Sequence, residues 1–129
     1  MRRARAFPTY AAIRALGRNG IAEIIERCCD HARILVAGFG SLAHVEVLWT
    51  PTINQGLARF LDPRPEAEDH DHDRRTDEMV SAIAATGEAF FSATTWKGRR
   101  AMRVSVCSWR TSEGDVQRTL RAVAALLAN

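Results

Sequence analysis

The sequence predicts an α+β fold: a two-layer sandwich whose four-stranded, mainly antiparallel sheet carries helices on one face. Three observations lead there. Four segments place apolar residues at helical intervals, and four shorter ones alternate or are rich in aromatic and β-branched residues. Two of the connections between strands are too short for a crossover, which makes those pairs antiparallel. The chain has 129 residues, 47% apolar and 26% charged, which suits one globular domain with a core of its own. Neither an internal repeat nor a domain boundary is visible.

The first helix begins near Pro8, where proline suits a first turn, with Ile13 and Leu16 on its apolar side. "GRNG" (17–20) ends it. A longer helix follows over about 20–38, with Ile21, Ile24, Ile25, Cys28, Ala32, Leu35, Val36 and Phe39 at helical spacing. "HVEVLW" (44–49) alternates, placing Val45, Val47 and Trp49 together, and Pro51 breaks it. "INQGLARFL" (53–61) is the second strand. "DPRPEAEDHDHD" (62–73), polar and aperiodic, reads as an exposed loop. A helix over about 74–86 buries Met79, Val80 and Ile83 and stops at Gly87. "AFFSATTW" (89–96) and residues 101–108 form a hairpin through "KGRR". Ser112 and Asp115 resemble a capping box, opening a last helix with Val116, Leu120, Val123 and Leu127 on one stripe. The predicted order is α-α-β-β-α-β-β-α.

Helices on one face leave the other face open. In "MRVSVC" (102–107), Met102, Val104 and Val106 point to the core, while Arg103, Ser105 and Cys107 belong to the open side. Arg103 is therefore the candidate binding residue. Its guanidinium suits a bidentate carboxylate contact, and a structural ion pair is the plainer alternative.

Other chemistries find less support. Net charge is +3, and seventeen of the eighteen basic residues are arginine, spread along the chain rather than gathered in a nucleic-acid stripe. Lys97 is the only lysine. Phe90, Phe91, Trp96 and Trp109 near arginines suggest an RNA-stacking face, but the RNA-module signature is absent. Neither a nucleic-acid nor a membrane partner is expected. Three cysteines, two of them adjacent (Cys28, Cys29, Cys107), fit buried thiols of a reducing cytoplasm better than disulfides or a metal pair. His70 and His72 among Asp69, Asp71 and Asp73 have chelating composition but sit in the most loop-like segment, so no metal is expected. No nucleophile elbow, phosphate loop or zinc-helix motif occurs, and no catalytic residue is assigned.

Three stretches together carry a family resemblance: "RRARAFPTYAAIRALGRNGIAEIIERCCDHA", "HVEVLWTPTINQGLARF" and "TTWKGRRAMRVSVCSWRTSEGDVQRTL". They resemble the C-terminal small domain of group II amino acid decarboxylases, enzymes of the aspartate-aminotransferase fold that depend on pyridoxal phosphate (PLP). The resemblance runs from about Arg3 to Leu127. It implies a small domain that folds over a large cofactor domain and helps close an active site, with Arg103 near the carboxylate of a small amino acid substrate. It further implies a homodimeric, cytoplasmic parent enzyme that uses PLP.

The Schiff-base lysine, the aspartate at the pyridine nitrogen and the phosphate loop of that family belong to the large domain. Lys97 does not match the Schiff-base motif, so no cofactor and no activity are expected of this chain alone. The alternative is a stand-alone α+β binding or regulatory module, including a truncated relic without chemistry. An aminotransferase or another lyase of the same fold stays open, as does the identity of the amino acid.

Overall fold

A computed structural model describes residues 4–129; Arg2 and Arg3 of the basic N-terminus lie outside the described residues. The elements are α1 (Ala6–Gly40), β1 (Val45–Trp49), β2 (Gln55–Phe60), α2 (Asp69–Thr86), β3 (Ser92–Trp96), β4 (Arg99–Ser105) and α3 (Glu113–Ala128). The strands form one antiparallel sheet in the order β1-β2-β4-β3. α1 and α2 cover one face, and α3 packs on both of them. This is the α+β sandwich that the sequence predicts.

The two expected N-terminal helices are one element interrupted at Gly17, whose φ of 65° and ψ of −176° favour glycine. The interruption divides α1 into unlike parts. Every described residue from Ala4 to Asn19 is exposed, whereas Cys28, Ala32, Leu35, Val36 and Phe39 are buried. The buried stripe meets Ala58 and Phe60 of β2, Met102 and Val104 of β4, Met79 and Ile83 of α2, and Val116 and Val123 of α3. Phe39 and Phe91 meet edge to face at 5.8 Å. Gly56 is required by close approach: a Cβ there would lie 2.7 Å from Val36 Cγ2 and 3.0 Å from the Trp49 carbonyl oxygen.

The structure corrects the reading of 62–73 as an exposed loop. Its second half is the first turn of α2, which starts at Asp69 behind a capping box formed by Glu68 and Asp71. No apolar period marks this turn, because electrostatics and hydrogen bonds hold it. Asp69 and Asp71 sit where the helix dipole favours negative charge. Arg59, only 2% exposed, donates to Asp69 Oδ1 (3.1 Å), the Asp69 carbonyl (3.0 Å) and Asp73 Oδ1 (2.9 Å).

The same helix completes the sheet. The β2–β4 ladder ends at the Ala58–Met102 pair. Beyond it, Asp73 Oδ1 accepts the Arg100 N–H (2.9 Å), and the Thr76 hydroxyl accepts the Phe60 N–H (3.1 Å) and donates to its carbonyl (3.2 Å). Side chains of α2 thus satisfy buried backbone groups that a neighbouring strand would otherwise serve.

Candidate functional site

The face of the sheet away from the helices presents Glu46 and Trp49 from β1, Gln55 and Leu57 from β2, Arg99 and Arg103 from β4, and Trp96 from β3. The pairing Leu57–Arg103–Ser92 fixes Arg103 on this side, while its neighbours Met102 and Val104 are fully buried on the other. Arg103 is exposed, and among the described residues it has no hydrogen-bond or ion-pair partner. Arg99, four positions earlier, lies 3.8 Å from Glu46 and so reaches the β1 edge.

Alternation along "HVEVLW" places Trp49 with Val45 and Val47, and here the structure differs. The register shifts between Val47, opposite Ala58, and Trp49, opposite Leu57. Leu48 is the extra residue of a β-bulge, which turns Trp49 to the open face. There Trp49 meets Trp96, which comes from the opposite edge strand, with ring centroids 6.4 Å apart and planes at 66°. The two indoles, Leu57, Gln55, Ile53 and Arg103 line a cleft of about 370 Å³. A free guanidinium beside aromatic walls can bind a carboxylate whose organic part packs on the rings.

The other singled-out residues are dispersed. Phe91 is in the core, while Phe90 and Trp109 are exposed away from the cleft, so the four aromatics share no platform. Arg110 lies 5.1 Å from the Trp109 ring. Cys28 and Cys29 are buried and Cys107 is exposed. Burial pushes the Cys28 thiol up. His70 is exposed, and His72 Nδ1 accepts the Asp62 N–H at 2.9 Å. The neighbouring carboxylates face arginines: Asp71 pairs with Arg64 and Arg74, and Asp73 with Arg59. Asp71 is lowered to about 2, first by the Glu68 N–H and then by those two guanidinium groups. Burial works to raise the Asp73 carboxyl, but the Arg100 N–H and the Arg59 guanidinium together hold it below the ordinary range.

These residues do not fit a PLP site. Lys97 occupies the tip of the β3–β4 hairpin at φ 49°, followed by Gly98 at φ 77°, the pair of positive angles that a two-residue type I′ turn requires. Its ammonium lies 4.6 Å over the Trp96 ring, held at the turn by a cation–π contact. No described helix is long and apolar enough to cross a membrane.

No protein-family model matches the chain, and no curated protein does. Solved structures do match. Oryza sativa TDC, crystallised with PLP and tryptamine, superposes at TM-score 0.83 with 20% identity over 99% of this chain. Catharanthus roseus tryptophan decarboxylase in complex with L-tryptophan gives 0.82 with 17% identity over 98%, and mouse CSAD in apo form 0.77 with 18% over 97%. The chain spans only 27–28% of the length of these proteins. It therefore has the fold of one part of these larger chains, solved decarboxylases among them, as the sequence resemblance implies.

Proposed function

We propose that this chain is the C-terminal small domain of a PLP-dependent amino acid decarboxylase, closing the active site with its open sheet face and contacting the substrate carboxylate through Arg103. The observation that carries the reading is Arg103 itself: a guanidinium without a partner among the described residues, on the uncovered face, in a cleft walled by two tryptophans. Arg59 and Arg100, by contrast, each meet a carboxylate of their own chain.

In this reading the cofactor belongs to the large domain of the parent enzyme, and Lys97 takes no part in holding it. The domain supplies a wall, a surface against the large domain and one charge for the substrate. Subunits of the complete enzyme pair as homodimers.

The test has two stages. An antibody to this domain should detect a native protein far heavier than 14.3 kDa in source cells. In that protein, Arg103→Ala should lower kcat/KM roughly 30- to 1000-fold, corresponding to about 2–4 kcal/mol for a charge-assisted carboxylate contact. Arg103→Lys should recover only part of it. A native band at 14.3 kDa, or unchanged kinetics in Arg103→Ala, overturns the reading. An aldimine absorbance band on adding PLP to the 129-residue chain, trapped at Lys97 by borohydride, would overturn the assignment of the cofactor to the large domain.

A further inference from the structure

We propose that Cys107 and Cys28 form a reversible oxidation site, at which a peroxide oxidises the exposed Cys107 thiol and Cys28 then closes a disulfide with it. The observation behind it is that all three cysteines of the chain line one apolar depression of about 310 Å³, walled by Ile24, Ile25 and Ile53.

The meeting is a tertiary one. Cys28 and Cys29 belong to the buried half of α1, and Cys107 follows the end of β4. Three contacts hold the segment after β4 in place. The Val106 N–H donates to the Asn54 carbonyl (3.0 Å), Asn54 Nδ2 donates to the Val106 carbonyl (3.0 Å), and Arg27 Nη2 donates to the Trp109 carbonyl (3.0 Å). Within that frame the Cys28 thiol donates to the carbonyl of Ser108, the residue after Cys107, with sulfur and oxygen 3.8 Å apart. Burial does most to push the Cys28 thiol up, the Arg27 guanidinium opposes it, and Cys107 then raises it more than the adjoining Cys29 does. Coulomb effects fall with distance, which is the order expected where Cys107 faces Cys28 and Cys29 turns away.

The three thiols are not equivalent. Cys107 is exposed, whereas Cys28 and Cys29 are 6 and 8% exposed. Oxidation follows access, so Cys107 reacts first. Its sulfur attacks the O–O bond and takes one oxygen: the Cys107 thiol and hydrogen peroxide give a sulfenic acid and water. The Cys28 sulfur then attacks the Cys107 sulfur. An S–S bond forms, the S–O bond breaks, and the hydroxyl leaves as a second water with the Cys28 proton. Two electrons pass from the two thiols to the peroxide. Cys29 is not the partner, because adjoining helical residues point to different faces and do not meet each other or a common third group. Small thiols reverse the bridge by exchange and return the free cysteines of this structure.

This site uses neither Arg103 nor a substrate carboxylate, so it stands or fails independently of the decarboxylase reading. The experiment treats the reduced 129-residue chain with equimolar hydrogen peroxide, alkylates the remaining thiols in denaturant and digests it with trypsin. Cys28 and Cys29 fall in the tryptic peptide 28–33 and Cys107 in 104–110. The expected result is the loss of two of the three thiols within one chain, with those peptides joined and fragmentation placing the bond on Cys28. Dithiothreitol should return all three. Cys29→Ser should form the bridge as the parent chain does. Cys28→Ala should instead leave Cys107 as a sulfenic acid that dimedone traps, and Cys107→Ser should keep both buried thiols. The map of the parent chain decides even where a variant fails to fold. Three alkylated thiols in the peroxide-treated parent overturn the proposal. So does a bond from Cys107 to Cys29, a bond between Cys28 and Cys29, or one joining the Cys107 residues of two chains.

Discussion

Replacing Arg59 with alanine removes a side chain that ties β2 to the start of α2, and its cost can be worked from the contacts. The Asp69 carboxylate is 78% exposed, so that ion pair contributes less than about 1 kcal/mol. Asp73 is only 29% exposed at 2.9 Å, where a charge-assisted hydrogen bond is worth about 1.5–3 kcal/mol. Loss of the packed aliphatic stem adds about 1 kcal/mol. Against this, Arg59 Nε is buried without an acceptor, a cost that the substitution relieves.

The expected net loss for Arg59→Ala is about 2–3 kcal/mol, a large share of the roughly 5–15 kcal/mol that such a domain possesses. Arg59→Met keeps the stem and should lose about 1 kcal/mol less. Arg100→Ala, at an ion pair 34 and 50% exposed, should lose under about 1 kcal/mol through that pair. Denaturant unfolding followed by circular dichroism measures all three, and a double-mutant cycle with Asp73→Asn isolates the central pair. A loss below about 1 kcal/mol for Arg59→Ala, or no coupling to Asp73, would refute the reasoning.

Three further outcomes follow from the same contacts. The carboxyls of Asp71 (about 2), Asp73 and Asp115 lie below the usual 3.8, so their contribution is complete above that value and is lost as pH falls through the folded values. Melting temperature should therefore decline from about pH 4 towards pH 2, and Asp71→Asn should flatten that decline in a thermal melt series. Gly56→Ala forces a Cβ against Val36 and the Trp49 carbonyl and should destabilise by about 1–3 kcal/mol in denaturant titration. Ser112→Ala removes the hydroxyl that accepts the Asp115 N–H (3.2 Å) and should cost about 1 kcal/mol, visible as a lower denaturation midpoint.

How much of this was legible follows from which forces leave a mark in sequence. The core did, because burial imposes a period: Leu35, Val36 and Phe39 at helical spacing, and Met102 and Val104 alternating around an exposed Arg103. The Ser112–Asp115 box did too, since both partners lie three residues apart. The start of α2 did not. Its Glu68–Asp71 box is local too but opens on Glu, not one of the preferred N-cap residues, and its other support comes from Arg59, ten to fourteen positions away, across which a salt bridge has no periodicity. Ile53 and Asn54 precede β2, and Ala89–Phe91 precede β3; of their apolar residues Phe91 is buried and Ala89 packs on the core, whereas Ile53 and Phe90 are exposed, so apolar content there marks no ladder. Arg103 was legible as an outward arginine. Its tryptophan walls were not: a bulge changes the count by one without changing residue type, so alternation puts Trp49 on one side with Val45 and Val47.

That single residue has a wider meaning. Trp49 reaches the cleft because Leu48 lengthens one edge strand relative to its neighbour. Were Leu48 instead paired with Leu57 in strict alternation, the indole would swing towards the helices with every side chain kept, whereas deleting Leu48 would leave Trp49 opposite Leu57 on the cleft side. Chains of this fold could then acquire or discard an aromatic wall by a shift of register, and a comparison that scores substitutions at aligned positions would pass over the event. What the cleft accepts therefore depends on the register of the first edge strand as much as on the identity of the residues in it.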